Sequence, residues 1–218
     1  LATKREATRE LLITTALRLF REQGYSKTTM RGIAADAGVS TGNAYYYFES
    51  KDDLVHELYK SIQDEHRSRA LPQLRDGVNL GEQLRVILQT GVDVMGPYHD
   101  FGANFLQVAI RPSSTVSPFG DEAAVARGKS IALFKQAVTV SRPQPPHAIR
   151  EDMPELLWLG YMAVTLFWVY DRSPNQRRTR TLIDNAAPLV ARLVILSRLP
   201  VVRRIVEDVV NLIRSAKP

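Results

Sequence analysis

The stretch Thr28–Leu54, TTMRGIAADAGVSTGNAYYYFESKDDL, decides how the rest of the chain is read. It holds two short helical patterns, Met30 to Ala37 and Thr41 to Phe48, separated only by Gly38-Val39-Ser40. So short a turn leaves no room for antiparallel packing, and the two helices must cross steeply. That is the arrangement of a helix-turn-helix unit, which lays its second helix in a DNA major groove. Thr28 or Thr29 offers the first N-cap, and Ile33, Ala34 and Ala37 face inward, small where two tightly joined helices meet. Gly38 can take the positive φ that stops the first helix, with Val39 plugging the crevice. Ser40 caps the second helix, whose inward face is Ala44 and Phe48, four residues apart.

Thr41, Gly42, Asn43, Tyr45, Tyr46 and Tyr47 are left to face outward, at least in part, because three consecutive tyrosines span most of a helix circumference. Short polar groups at a recognition helix's N-terminus are the ones that reach base edges, and the free N–H groups there also suit a phosphate. Asn43 matches an adenine edge, Thr41 a base or thymine methyl, and Gly42 lets the backbone approach closely. The tyrosine hydroxyls can donate to flanking phosphates.

Working outward, Thr3 and Glu6 form a T-x-x-E capping box that starts a helix over Lys4–Gln23. Its stripe of Ala7, Leu11, Leu12, Ala16, Leu19 and Phe20 is the platform behind the helix pair, and Gly24 ends it. Downstream, Ser50-Lys51-Asp52-Asp53 is a second capping box, opening a long fourth helix with Leu54, Val55, Leu58, Tyr59 and Ile62 on one face. Lys51, in its first turn, is placed for a phosphate.

These residues carry a family resemblance. Thr29, Ile33, Ala34, Ala37, Gly38, Val39, Ser40, Gly42, Tyr45, Phe48, Ser50, Lys51 and Leu54 follow the pattern T-x-x-x-I-A-x-x-A-G-V-S-x-G-x-x-Y-x-x-F, then S-K-x-x-L. Residues 4–65 thereby resemble the TetR family of transcriptional regulators. The resemblance implies DNA contacts at Thr29, Arg31, Ser40, Thr41, Gly42, Asn43, Tyr45, Tyr46 and Lys51. Ala44 departs from the family, which more often has a larger aliphatic residue there. Tyr47 stands where the family commonly has histidine and is not carried over as a contact.

From Pro72 onward the punctuation predicts successive helices near 80–95, 100–110, 121–139, 154–170, 182–198 and 201–215, with 142–150 as a loop. The expected fold is all-α. A three-helix helix-turn-helix domain over residues 1–52 is joined by the long fourth helix to a larger helical domain over 53–218. The resemblance makes that second part a ligand-binding and dimerisation domain. The helix over 154–170 is apolar nearly all round and must be buried on several sides. With the helix over 182–198 it implies, by family analogy, a dimer interface through Leu157, Val164, Leu189, Val190, Leu193, Val194 and Leu196. Met95, Tyr98, Phe101, Phe105, Trp158, Tyr161, Met162 and Trp168 are candidate walls of a pocket for a small, largely apolar or aromatic effector; the same residues equally describe an ordinary core.

The 218 residues carry a net charge of +6, distributed as +3 over 1–51, −2 over 52–141 and +5 over 142–218. A basic balance favours polyanions, but most of the surplus lies outside the helix pair, so charge adds little to the DNA reading. There is no cysteine, hence no disulfide and no thiolate nucleophile or zinc ligand. His56, His66, His99 and His147 are scattered with no metal-ligand spacing, and no P-loop, G-x-G-x-x-G or G-x-S-x-G motif occurs. Neither an enzyme nor a cofactor is expected. No apolar run reaches the ~20 residues of a membrane span and the first residues hold no signal-like core, so the cytoplasm is the expected location. The sequence thus points to a homodimeric DNA-binding regulator, a repressor released from a palindromic operator by its effector. A nucleoid-type binder without an effector, or a helical protein-interaction module, are the competing readings.

Overall fold

The computed structural model describes residues 3–109 and 114–197, together with 199 and 208, and the described residues are helical with no strand. The order is α1 Lys4–Gln23, α2 Met30–Asp36, α3 Thr41–Tyr47, α4 Lys51–Ala70, α5 Leu80–Met95, α6 His99–Ala109, α7 Ala124–Val140, α8 His147–Arg150, α9 Met153–Tyr170 and α10 Arg177–Leu196. The expected last helix over 201–215 falls almost wholly outside the described residues. The segment 142–150, expected as a loop, contains the short α8, and α10 begins five residues earlier than its apolar pattern. Its first turns are Arg177, Arg178 and Arg180, a polar start that a hydrophobic period does not register.

The chain divides into two compact units, residues 1–64 with 95–127 and residues 65–94 with 128–218. In the first, α2 packs on α3 and on α1, and α1 also meets α6. Local signals dictate the elements. Thr3 accepts the Glu6 N–H while Glu6 accepts that of Thr3, closing the expected box. Ser50 and Asp53 do the same for α4, at 3.4 and 3.0 Å. The α1 stripe is rotated from its predicted centre: Leu12, Thr15, Ala16 and Phe20 are buried, whereas Ala7 and Leu11 are exposed.

The second unit has Ile87, Leu133, Phe134, Ile149, Tyr161 and Ile183 at its centre. Gly91 is a close-approach position: a Cβ there would lie 3.1 Å from the Tyr161 ring and hydroxyl and 3.3 Å from His66. The α9–α10 turn is tied by Asp171. It accepts from the backbone N–H and hydroxyl of Ser173 and from the N–H and hydroxyl of Thr179. Burial pushes the Asp171 carboxyl up, but these four hydrogen bonds together outweigh it and hold the group well below the ordinary carboxylate range.

Candidate nucleic-acid interface

The α2–α3 turn closes through backbone geometry alone. Gly38 sits at φ +68°, its N–H reaches Ala35 O at 3.2 Å, and Val39 N–H reaches Ala34 O at 3.0 Å. This is the Schellman pattern, in which a left-handed residue satisfies the last carbonyls of the helix. Ser40 Oγ then accepts from Asn43 N–H at 3.1 Å, and Thr29 Oγ1 accepts from Gly32 N–H at 3.1 Å. Each hydroxyl uses a lone pair as a cap and keeps its proton for an outside acceptor. Ile33, Ala34, Ala44 and Phe48 are buried, so the small Ala44 sits fully enclosed beneath α3 and Phe48 supplies the bulk beside it.

The outward face of α3 is Thr41, Gly42, Asn43, Tyr45 at 51% exposed and Tyr46 at 68% exposed. A Cβ on Gly42 would meet nothing of the chain within 4 Å, so what its missing side chain leaves open is the outer surface. Arg31, on α2, is also exposed. Tyr47 is half-buried, its ring edge-on to that of Tyr46 at 5.2 Å.

Lys51 stands apart from the other expected contacts. Its ammonium donates to Tyr25 O at 2.9 Å and Thr28 O at 3.1 Å, and lies 4.1 Å from the centre of the Tyr25 ring. Burial pulls its pKa down. Tyr25, which no sequence motif singled out, is a hub. Its hydroxyl donates to Asp52, and Asp52 also accepts from Thr115 Oγ1 at 2.7 Å. His56 Nε2 reaches the Thr115 carbonyl at 2.8 Å. Nothing in local sequence links positions 25, 52 and 115.

The candidate effector residues fall into two sets. In the first unit, Phe101 stacks on Phe20 at 5.6 Å and on Phe105 at 5.2 Å, and Phe105 meets Tyr25 edge-on at 6.3 Å. This column joins α6 to α1 and serves the core behind the helix pair. Met95 is buried, and half-buried Tyr98 lies under Arg21 at 6.0 Å. In the second unit Trp158, Tyr161 and Trp168 are buried and Met162 half-buried; the Tyr161 ring lies 5.4 Å from His66 and 6.0 Å from Phe134.

The polar groups of that interior were not foreseen. His66, 1% exposed, donates from Nε2 to Ile87 O at 2.8 Å, which leaves Nδ1 a lone-pair acceptor; that atom and Ser130 Oγ are buried without a protein partner. Burial lowers the His66 pKa, so the ring is neutral near pH 7. Within the first unit the Tyr59 hydroxyl is likewise unpartnered, and burial pushes its pKa up to about 12. The second unit also opens a surface cleft of about 740 Å³ lined by Arg69, Gln73, Arg85, Val86, Gln89, Thr90, Asp93 and Asp184, a polar wall that shares no residue with the candidate pocket.

Of the residues expected at a dimer interface, Leu189, Leu193 and Leu196 are exposed and Val164 and Val190 half-buried, whereas Leu157 and Val194 are buried within the chain. Leu166, Phe167, Tyr170 and Leu182 are exposed as well and extend the apolar stripes of α9 and α10.

Known proteins share the sequence pattern and the helical fold. Residues 12–58 match the family described as bacterial regulatory proteins, tetR family, and residues 83–212 match the tetracyclin repressor-like C-terminal domain. The HTH-type transcriptional regulator HbdR of Aromatoleum sp. (strain CIB) is 40% identical over 73 residues, 34% of this chain and 31% of that protein; the match thus spans about a third of the relative's length. Among solved structures, a TetR-family regulator from Syntrophomonas wolfei superposes with a TM-score of 0.65 at 17% identity, covering 86% of this chain and 96% of that one. FadR of Thermus thermophilus, in complex with lauroyl-CoA, does so with a TM-score of 0.56 at 21% identity, covering 83% and 93%. With one match over the helix-turn-helix and another over more than half of the chain, this protein belongs to the TetR family of bacterial regulators.

Proposed function

We propose that this protein is a sequence-specific transcriptional repressor that binds a palindromic operator as a homodimer and is released by a small, largely apolar or aromatic ligand. The observation that carries the DNA half is the outward face of α3. Capped by Ser40, it offers Thr41, Asn43, Tyr45 and Tyr46 without a competing intramolecular use of their side chains among the described hydrogen bonds. Thr29, Arg31 and Ser40 flank it, and two copies would dock in successive major grooves about 34–36 Å apart.

Pairing through α9 and α10 is supported by the exposed stripe Leu182, Leu189, Leu193 and Leu196 together with Leu166, Phe167 and Tyr170. Apolar side chains repeated along one face of a helix mark an interaction surface. The effector half draws on the second unit's interior, where His66 Nδ1 lacks a partner on a ring beside Tyr161 and Ser130 Oγ is also unpartnered, and on the lauroyl-CoA complex of the Thermus relative. A buried unpartnered polar atom costs about 1–3 kcal/mol, a cost that a ligand or an ordered water removes. A ligand releases the operator only by binding more tightly to the conformer that cannot span it.

Selection of bound fragments from a genomic DNA pool, followed by anisotropy titrations on the recovered duplex, tests this reading. Asn43→Ala should weaken the recovered site by about fivefold or more per half-site, at 1–3 kcal/mol for one bidentate base contact, and leave scrambled DNA unaffected. A fragment pool with no enrichment would overturn the DNA reading. Affinity indifferent to sequence would favour a nucleoid-type binder.

A further inference from the structure

One side chain from the first turn of α1 reaches the outward face of α3, although 41 positions separate Arg5 from Tyr46. The guanidinium carbon of Arg5 is 5.8 Å from the centre of the Tyr46 ring, and both residues are exposed. A guanidinium beside a ring face still has N–H donors free to match a planar or tetrahedral oxyanion. Tyr46 thus favours Arg5 side-chain positions beside its ring.

Among the described residues no acid pairs with this cation. The Glu6 carboxylate is turned to the Thr3 N–H at 2.6 Å as part of the cap. Arg9, one turn further along α1, is taken by Glu57 at 2.8 Å and lies over Phe48 at 5.2 Å. No ion pair among the described residues involves Lys4 or Arg5. Lysine and arginine at the first two positions of a helix also oppose its dipole, whose positive end is there. The arrangement is unfavourable for the isolated chain and becomes favourable beside an anion. Lys51, where a phosphate contact is expected, has its ammonium committed to two carbonyls and a ring.

We infer that the first turn of α1 belongs to the DNA interface, with Arg5, beside the Tyr46 ring, holding a backbone phosphate beside the groove that α3 enters and Lys4 adding charge alongside. This rests on the DNA-binding reading above and assigns the sequence-independent part of the affinity to α1.

The test uses the full chain and the duplex recovered by genomic selection, with a scrambled duplex of equal length, titrated by anisotropy across a salt series. Each phosphate contact contributes about 0.9 to the slope of log K against log salt on B-DNA, so Arg5→Gln in both protomers should flatten it by about 1.8. Affinity should fall by a similar factor on both duplexes, with melting unchanged because Arg5 is exposed. Arg5→Lys should restore most of the slope. An Arg5→Gln protein with the wild-type slope overturns the inference while leaving the DNA reading standing, as does a loss confined to the recovered duplex. A wild-type protein that binds neither duplex overturns both.

Discussion

Replacing Lys51 with methionine separates two roles that the same position can have. Methionine keeps the apolar stem and removes only the ammonium, whose partners are Tyr25 O at 2.9 Å, Thr28 O at 3.1 Å and the Tyr25 ring at 4.1 Å. Hydrogen bonds from a charged donor contribute about 1.5–3 kcal/mol, and a partly exposed cation–π contact about 0.5–1 kcal/mol. Lys51 is half-buried, so solvent screening argues for the low end, and the combined loss should be about 2 kcal/mol. In a chain of this size that lowers the melting temperature by roughly 4–8 °C, and by more if the first unit melts alone. Circular dichroism melts at pH 7 give this number, and the salt dependence of DNA affinity gives its counterpart. A strut predicts a lower melting temperature with an unchanged salt slope. A variant that melts like wild type but loses about 0.9 from the slope per protomer would show that Lys51 holds a phosphate, and the reasoning from its carbonyl contacts would fail.

Two predictions concern the second unit. Asp171→Asn should cost about 2 kcal/mol at pH 7, because one face of the amide donates where the carboxylate accepts from Ser173 and Thr179. The folded carboxyl titrates below its unfolded value, so its stabilisation is complete above the ordinary aspartate pKa and is lost as pH falls. Denaturant midpoints of the two proteins should therefore converge from about pH 4 downward, and a gap that stays constant to pH 3 would refute the assignment. Gly91→Ala adds a methyl 3.1 Å from Tyr161. Helix propensity alone would stabilise by about 1 kcal/mol, whereas overpacking costs about 1–3 kcal/mol. The melting temperature should fall by a few degrees, and a rise would mean that Tyr161 has room to move.

How much of this was legible depends on how far apart in sequence the interacting groups are. The caps of Thr3, Ser40 and Ser50 and the turn at Gly38 involve partners three to five residues away, and a linear reading sees such pairs directly. The α-helical class followed from the same local signals. The stripe of α1 was less secure, since Leu11 and Leu12 both fit a helical period and only packing against α2 and α6 decides which is buried. The aromatic residues were the least legible. Phe101 and Trp158 have the same chemistry and helical setting in the sequence, yet one stacks on Phe20 and the other lies in the second unit's interior. Burial drives both, and burial has no direction that composition can reveal.

Lys51 shows why a motif position does not by itself assign a contact. The resemblance identifies a lysine at the start of α4, and a lysine there can reach a phosphate. Whether its ammonium is available depends on Tyr25 and Thr28, 26 and 23 residues earlier. Those two carbonyls belong to the turn that leads into α2, so a cation fastening them holds the entry to the helix pair. On the inference drawn above, Arg5 on α1, beside the Tyr46 ring, supplies positive charge at the DNA surface alongside the exposed Arg31. If that holds, the lysine of the family pattern serves here as a fastener of the helix pair, and a residue outside the pattern carries the electrostatic contact. The salt slope distinguishes the two, because a fastener leaves it unchanged and a phosphate contact lowers it.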